Sequence, residues 1–179
     1  YLANLNPHPR DKHISFEEGP HIYTVCGDRG GYTSVTTWNH HHFSDFDADS
    51  VITNIIRSRK WDTDHTYKYY KMTRDEIKMM WDTKRDTAAG AGTKMHYDIE
   101  CYYNNCPNKN DSVEYEYFMK FTDRFSQLKP YRTEWMIFHE ELKFAGSIDM
   151  IFENEDGTLS IYDWKRCKEI KMTSSWNKY

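Results

Sequence analysis

The chain has 179 residues, enough for one hydrophobic core that withdraws about 70% of the unfolded surface from water. It is 38% hydrophobic, 16% aromatic and 29% charged, with a formal net charge of −4. A core rich in Tyr, Phe and Trp rather than aliphatics is expected, and no stretch reads as a transmembrane span or signal peptide. Cys26, Cys101, Cys106 and Cys167 form neither a Cys-x-x-Cys pair nor a zinc-finger spacing, so reduced thiols and an intracellular location are expected. The acidic balance does not exclude nucleic acid, because acids gathered in one site coexist with a local basic groove.

In chain order, residues 1–12 are polar with Pro7 and Pro9 and read as a loose leader. Residues 13–17 and 21–25 alternate as a hairpin around Glu18-Gly19-Pro20. Gly27-Asp28-Arg29-Gly30-Gly31 turns the chain before Ser34-Val35-Thr36-Thr37, whose hydroxyls either bind phosphate at a helix start or cap that helix. His40-His41-His42 reads as a polar loop, since consecutive residues cannot all face one ion. A helix is expected over about 47–59. Thr73-Arg74-Asp75-Glu76 is a capping box ahead of a helix with Met79, Met80 and Trp81. Between Arg57 and Arg85 nine Lys/Arg stand against five Asp/Glu, interleaved with Trp61, Tyr67, Tyr69, Tyr70 and Trp81. That mixture suits a single nucleic-acid strand, with Arg57 and Lys60 on phosphates and Trp61 under bases, or else the rings are core of an amphipathic helix pair.

A further helix carries Met95, Ile99 and Tyr103, with His96 and Glu100 four apart on one face, and ends near Asn104-Asn105 before Pro107. Val113, Tyr117, Phe121, Phe125 and Leu128 form a helical stripe that stops at Pro130. Three strands close the reading, at 133–140, 143–152 and 159–165. Gly146-Ser147-Ile148-Asp149 lies in the second and Asp163-Trp164-Lys165 in the third, joined by the turn Asn154-Glu155-Asp156-Gly157. In neighbouring strands about 5 Å apart, Asp149 and Asp163 can converge on one divalent ion. Lys165, two residues beyond Asp163, is expected on the same strand face, where it can order or deprotonate an attacking water and offset charge on a phosphorane. Glu134, opening the first of the three strands, is a lesser candidate for the site. Glu100 either supports the metal indirectly, through a ligand or a water, or simply pairs with Lys94 or solvent.

Gly92-x-x-x-His96-x-x-x-Glu100, Gly146-Ser147-Ile148-Asp149 and Asp163-Trp164-Lys165, in this order, resemble the PD-(D/E)XK nuclease superfamily and within it the RecB-type exonucleases. Tyr32-Thr33-Ser34-Val35-Thr36-Thr37 is similar to the Ser-Val-Thr segment of the mitochondrial genome maintenance exonuclease and its viral relatives. The resemblance spans roughly residues 13–166; over 40–85 and 104–132 it extends only to helical character. It implies an α/β fold with a restriction-endonuclease-like core, a mixed central sheet flanked by helices, here with an N-terminal hairpin and helical elaboration. A single domain over 13–179 follows. The Gln-x-x-x-Tyr helix usual after the Asp-x-Lys strand in that branch is not evident before Tyr179, and the start at Tyr1 hints at a fragment.

The resemblance also implies chemistry. His96, Asp149, Asp163 and the Trp164 backbone carbonyl would hold Mg²⁺ or Mn²⁺, with a second ion near Glu100, and Lys165 would position the water. The iron–sulfur cluster of some RecB-type nucleases is not expected, because Cys167 stands alone after the catalytic strand. The expected activity is hydrolysis of DNA phosphodiester bonds, as an exonuclease on single-stranded or end-exposed DNA. The alternatives are an endonuclease of the same fold, on DNA or RNA, or a binding module without turnover.

Overall fold

The computed structural model describes residues 1–106 and 110–167. In chain order its elements are helix α1 (Leu2–Leu5), a 3-10 turn (Asp11–His13), strands β1 (Ile14–Glu17), β2 (Ile22–Val25), β3 (Asp28–Arg29) and β4 (Thr33–Ser34), helices α2 (Val35–His40), α3 (Ala48–Arg57), α4 (Arg59–Thr63), α5 (Arg74–Tyr103) and α6 (Val113–Arg124), then strands β5 (Lys129–His139), β6 (Phe144–Glu153) and β7 (Leu159–Tyr162). The chain is mixed α/β. It divides into two compact units, one of Tyr1–Ser15, Gly92–Ile137 and Ser147–Tyr179, the other of Phe16–Ala91 and Phe138–Gly146. A Gln-x-x-x-Tyr helix following the Asp-x-Lys segment would fall after Cys167, outside the described residues.

The first unit is built around the β6–β7 hairpin. Asn154 donates its N–H to the Thr158 carbonyl at 2.8 Å, and Gly157 takes the left-handed φ of 79° that favours glycine in a tight turn. The resulting antiparallel register pairs Met150 with Tyr162 and Glu153 with Leu159. Met150, Ile151 and Phe152 are buried, together with Ile99 of α5 and Phe118 of α6. Aromatic rings join the aliphatics here and do not replace them, since Ile99 and Ile151 are buried beside Phe118 and Phe152: the Phe152 ring meets Tyr162 at 4.9 Å and Tyr103 at 5.6 Å between centroids, both edge to face, a geometry that adds to simple area burial. β5 is hydrogen-bonded to β6.

The polar leader is tied into this unit. Leu2 is buried, Asn6 Nδ2 donates to the Tyr131 carbonyl at 2.8 Å, and Arg132 Nη1 donates to the Asn6 carbonyl at 2.7 Å and to Asp11 Oδ2 at 2.9 Å. Trp135 Nε1 donates to Asp11 Oδ1 at 2.9 Å, so one carboxylate is shared by a guanidinium and an indole.

In the second unit β1, β2 and β3 form one sheet in that order, and β4 pairs in parallel with the start of β6, Thr33 with Phe144 and Ser34 with Ala145. Helices α3, α4 and the first turns of α5 pack around Ile52, Tyr69 and Ile77, with Met72, Met80 and Trp81 at the margin. Trp61 Nε1 donates to the Met72 carbonyl at 2.9 Å, and Trp81 Nε1 to the Tyr69 hydroxyl at 2.9 Å.

Several boundaries differ from those read in the sequence. The helix expected over 47–59 breaks at Ser58, whose backbone is extended and whose hydroxyl accepts from the Trp61 N–H to start α4. The capping-box helix and the His96 helix are one helix of 30 residues; Gly90 and Gly92 each cost a helix only about 1 kcal/mol, and the alanines between and before them favour continuation. The third of the closing strands ends at Tyr162, three residues early, with consequences for the site.

Candidate metal centre

Three elements of the first unit deliver one side chain each. His96 comes from α5, Asp149 from β6 and Glu134 from β5. His96 Nδ1 stands 3.6 Å from Glu134 Oε1 and 3.6 Å from Asp149 Oδ2, and one donor atom from each residue lies within 4.8 Å of the others. These separations exceed a hydrogen bond. They suit atoms that share a cation, since ligands about 2.1 Å from one ion stand roughly 3–4 Å apart. The three residues are half-buried, so the cluster is partly open to solvent.

The electrostatics couple these same residues. The His96 imidazole is held more basic than usual, chiefly by the Glu134 carboxylate beside it and further by Asp149, against its partial burial. Burial pushes the Asp149 carboxyl up, and Asp163 and Glu134 add to that, while the Trp164 backbone N–H and His96 oppose it. Glu100 is also pushed up, by burial first and then by Glu134. Glu134 thus bears on both Asp149 and Glu100, and Asp163 on Asp149, a crowding of carboxylates that a divalent cation would relieve.

Asp163 and Lys165 are placed differently from the expectation. β7 ends at Tyr162, so Asp163, Trp164 and Lys165 lie beyond the ladder, although burial still alternates along them, with Asp163 and Lys165 exposed and Trp164 half-buried. The physical reason is visible at Trp164: its backbone N–H donates to Asp149 Oδ2 at 2.8 Å instead of continuing the ladder. Its ring packs edge to face on Phe121 at 5.3 Å and Phe118 at 6.0 Å, which anchors the segment. Lys165 Nζ donates to Asp163 Oδ1 at 2.7 Å, and both side chains are exposed. Asp163 is outside the three-residue cluster, although its charge reaches Asp149. The Trp164 main chain reaches His96, in keeping with a carbonyl at the site.

Lys94 is paired with buried Asp98 at 2.8 Å, so Glu100 is not its partner. The residue underweighted in the sequence is Glu134. Its position in the strand preceding the Asp149 strand hints at the site, but its backbone, with φ of 43°, cannot be read from residue types.

The nucleic-acid candidates lie in the second unit. Ser34 Oγ accepts from the Thr37 N–H at 3.0 Å and donates to Thr37 Oγ1 at 2.8 Å, which is the capping alternative for this block; Thr36 is exposed. Arg57, Arg59 and Lys60 are exposed. Trp61 is partly buried with its indole N–H bonded inside the unit, and Trp81 likewise, so these rings pack against the protein. All four cysteines are free thiols, and no described helix is long and apolar enough to cross a membrane.

No family model, curated protein or solved structure matches this chain.

Proposed function

We propose that the chain is a divalent-metal-dependent phosphodiesterase of PD-(D/E)XK type, a deoxyribonuclease acting on single-stranded or end-exposed DNA. The observation that carries this reading is the convergence of His96, Glu134 and Asp149 donors within 4.8 Å, next to Asp163-Trp164-Lys165 on the chain that bonds Asp149. Support comes also from the motif order, which matches the restriction-endonuclease-like arrangement of an acid on one strand and an Asp-x-Lys after the next.

The donor set of one imidazole and hard carboxylate oxygens fits Mn²⁺ or Mg²⁺. When bound, such an ion supplies Lewis-acid polarisation of a phosphoryl oxygen and a more acidic water. The protein's own groups do the rest. Lys165, exposed and bonded to Asp163, would orient a water and offset charge on the phosphorane. Trp164, fixed among Phe118, Phe121 and Tyr162, holds the main chain that carries both Asp163 and Lys165. Glu100, with its carboxyl pushed up by burial and by Glu134, retains a proton more readily than a surface glutamate. The exposed Arg57, Arg59 and Lys60 supply cations for phosphates.

The test has two arms. Mn²⁺ titration should raise the melting temperature, and His96→Ala and Asp149→Ala should each abolish the rise. End-labelled linear single strands should be shortened from an end in Mn²⁺ while closed circles resist. An unchanged shift in both variants defeats the site, and rapid cutting of circles makes the enzyme an endonuclease instead.

A further inference from the structure

Glu134 is unusual twice over. It lies within β5, yet its φ is 43°, a left-handed conformation that residues with a Cβ rarely adopt inside a strand. A left-handed residue swings its side chain out of the alternation of the pleat, a device used beside functional sites to re-aim one group. Its carboxylate is then oriented from the neighbouring strand: Ser147 Oγ donates to Glu134 Oε2 at 3.0 Å. The other oxygen, Oε1, is the one that faces His96. Ser147 and Asp149 are two apart on β6, so one strand provides both an acid of the cluster and the donor that orients the second acid.

Asp163 shows the opposite arrangement. It lies beyond the end of β7, is exposed, and its Oδ1 is engaged by Lys165 Nζ at 2.7 Å. It has no other element oriented toward it among the described contacts, whereas Glu134 has a hydroxyl donor and a specialised backbone.

The geometry points to a division of labour that departs from the expected ligand set: Glu134, held by Ser147 as a positioning residue, is the third side-chain ligand with His96 and Asp149, and Asp163 serves as the partner that orients Lys165. This inference rests on the proposed metal-dependent activity. It goes beyond it by assigning a role to Ser147 and exchanging the roles of two acids. Orienting groups of this kind typically change metal affinity 10- to 100-fold when removed, and Ser147 is exposed, so its substitution leaves packing intact.

The experiment is direct measurement of Mn²⁺ affinity by paramagnetic resonance of free ion, on the full chain without DNA. Glu134→Gln, which retains the shape and the bond from Ser147, should weaken binding by about tenfold or more, and Ser147→Ala by about tenfold. Ser147→Thr, which restores the hydroxyl on a side chain that suits strands, should return affinity to within about threefold of the parent. Asp163→Asn should leave affinity within the same threefold while slowing cleavage. Loss of binding in Asp163→Asn with Glu134→Gln unaffected would overturn the assignment but leave the metal-dependent reading standing, as would an unchanged Ser147→Ala. Absence of Mn²⁺ binding by the parent chain would defeat both.

Discussion

Trp164 donates its backbone N–H to Asp149 Oδ2 at 2.8 Å, one step past the last pair of the β6–β7 ladder, Met150 with Tyr162. Extending that register by one residue sets Asp149 across from Asp163. Two acids placed opposite each other at the open end of a hairpin repel, and the ladder gives way there to a side-chain bond. The bond that ends the strand therefore also orients Asp149, through the same Oδ2 that stands 3.6 Å from His96, and fixes the segment that bears Lys165.

In the proposed mechanism the lysine acts on water and on developing charge, not as a ligand, so replacement of Lys165 by Ala should reduce cleavage by orders of magnitude while leaving Mn²⁺ affinity nearly unchanged. Its exposed pair with Asp163 contributes little to stability, so the melting temperature should hold. Single-turnover cleavage beside metal titration on the same preparation checks this; a parallel loss of metal binding would contradict it.

Simultaneous replacement of Arg57, Arg59 and Lys60 by Ala should weaken single-stranded DNA binding and flatten its salt dependence. Each lost phosphate contact lowers the slope of log affinity against log salt by about 0.7, so removal of all three should lower it by about 2. Fluorescence anisotropy across a salt series measures the slope. A slope identical to that of the parent would remove these cations from the binding surface.

Acid should loosen the docked leader. Burial of Asp11 pushes its carboxyl up, but bonds from Arg132, the His8 backbone and Trp135, together with the Arg132 charge, outweigh that and lower it from 3.8 to about 2. A carboxyl depressed on folding contributes stability that is present above its unfolded value and is lost as pH falls through the folded one. Between pH 4 and 2 the parent should lose stability that Asp11→Asn lacks at every pH. Denaturant midpoints of both proteins across that window test it, and parallel curves would refute the role of Asp11.

Phe152→Ala should destabilise the protein by about 3–5 kcal/mol, since the ring is fully buried and its loss leaves a cavity between Tyr103 and Tyr162. Ser34→Ala should cost about 1 kcal/mol through loss of the α2 cap. Chemical denaturation resolves the two, and a Phe152→Ala cost near that of Ser34→Ala would mean that the aromatic cluster collapses around the gap.

Residue types alone determined the strands at 14–17, 22–25 and 144–153 to within a residue or two, because alternation of Ile, Tyr, Val and Phe with polar neighbours, bounded by Gly and Asn turns, is a local property. The same holds for placing His96, Asp149, Asp163 and Lys165 as candidates, since their chemistry and spacing are written in the chain. Tertiary structure alone decided which of the acids meet. Whether Glu134 or Asp163 faces His96 depends on one left-handed dihedral in β5, on a hydroxyl donated from β6 and on a backbone bond that ends β7, and the two bonds join residues 13 and 15 apart in sequence. The indole rings of Trp61 and Trp81 show the same limit: aromatic residues among cations read equally as stacking platform or core, and only the carbonyl and hydroxyl that receive their N–H groups separate the two.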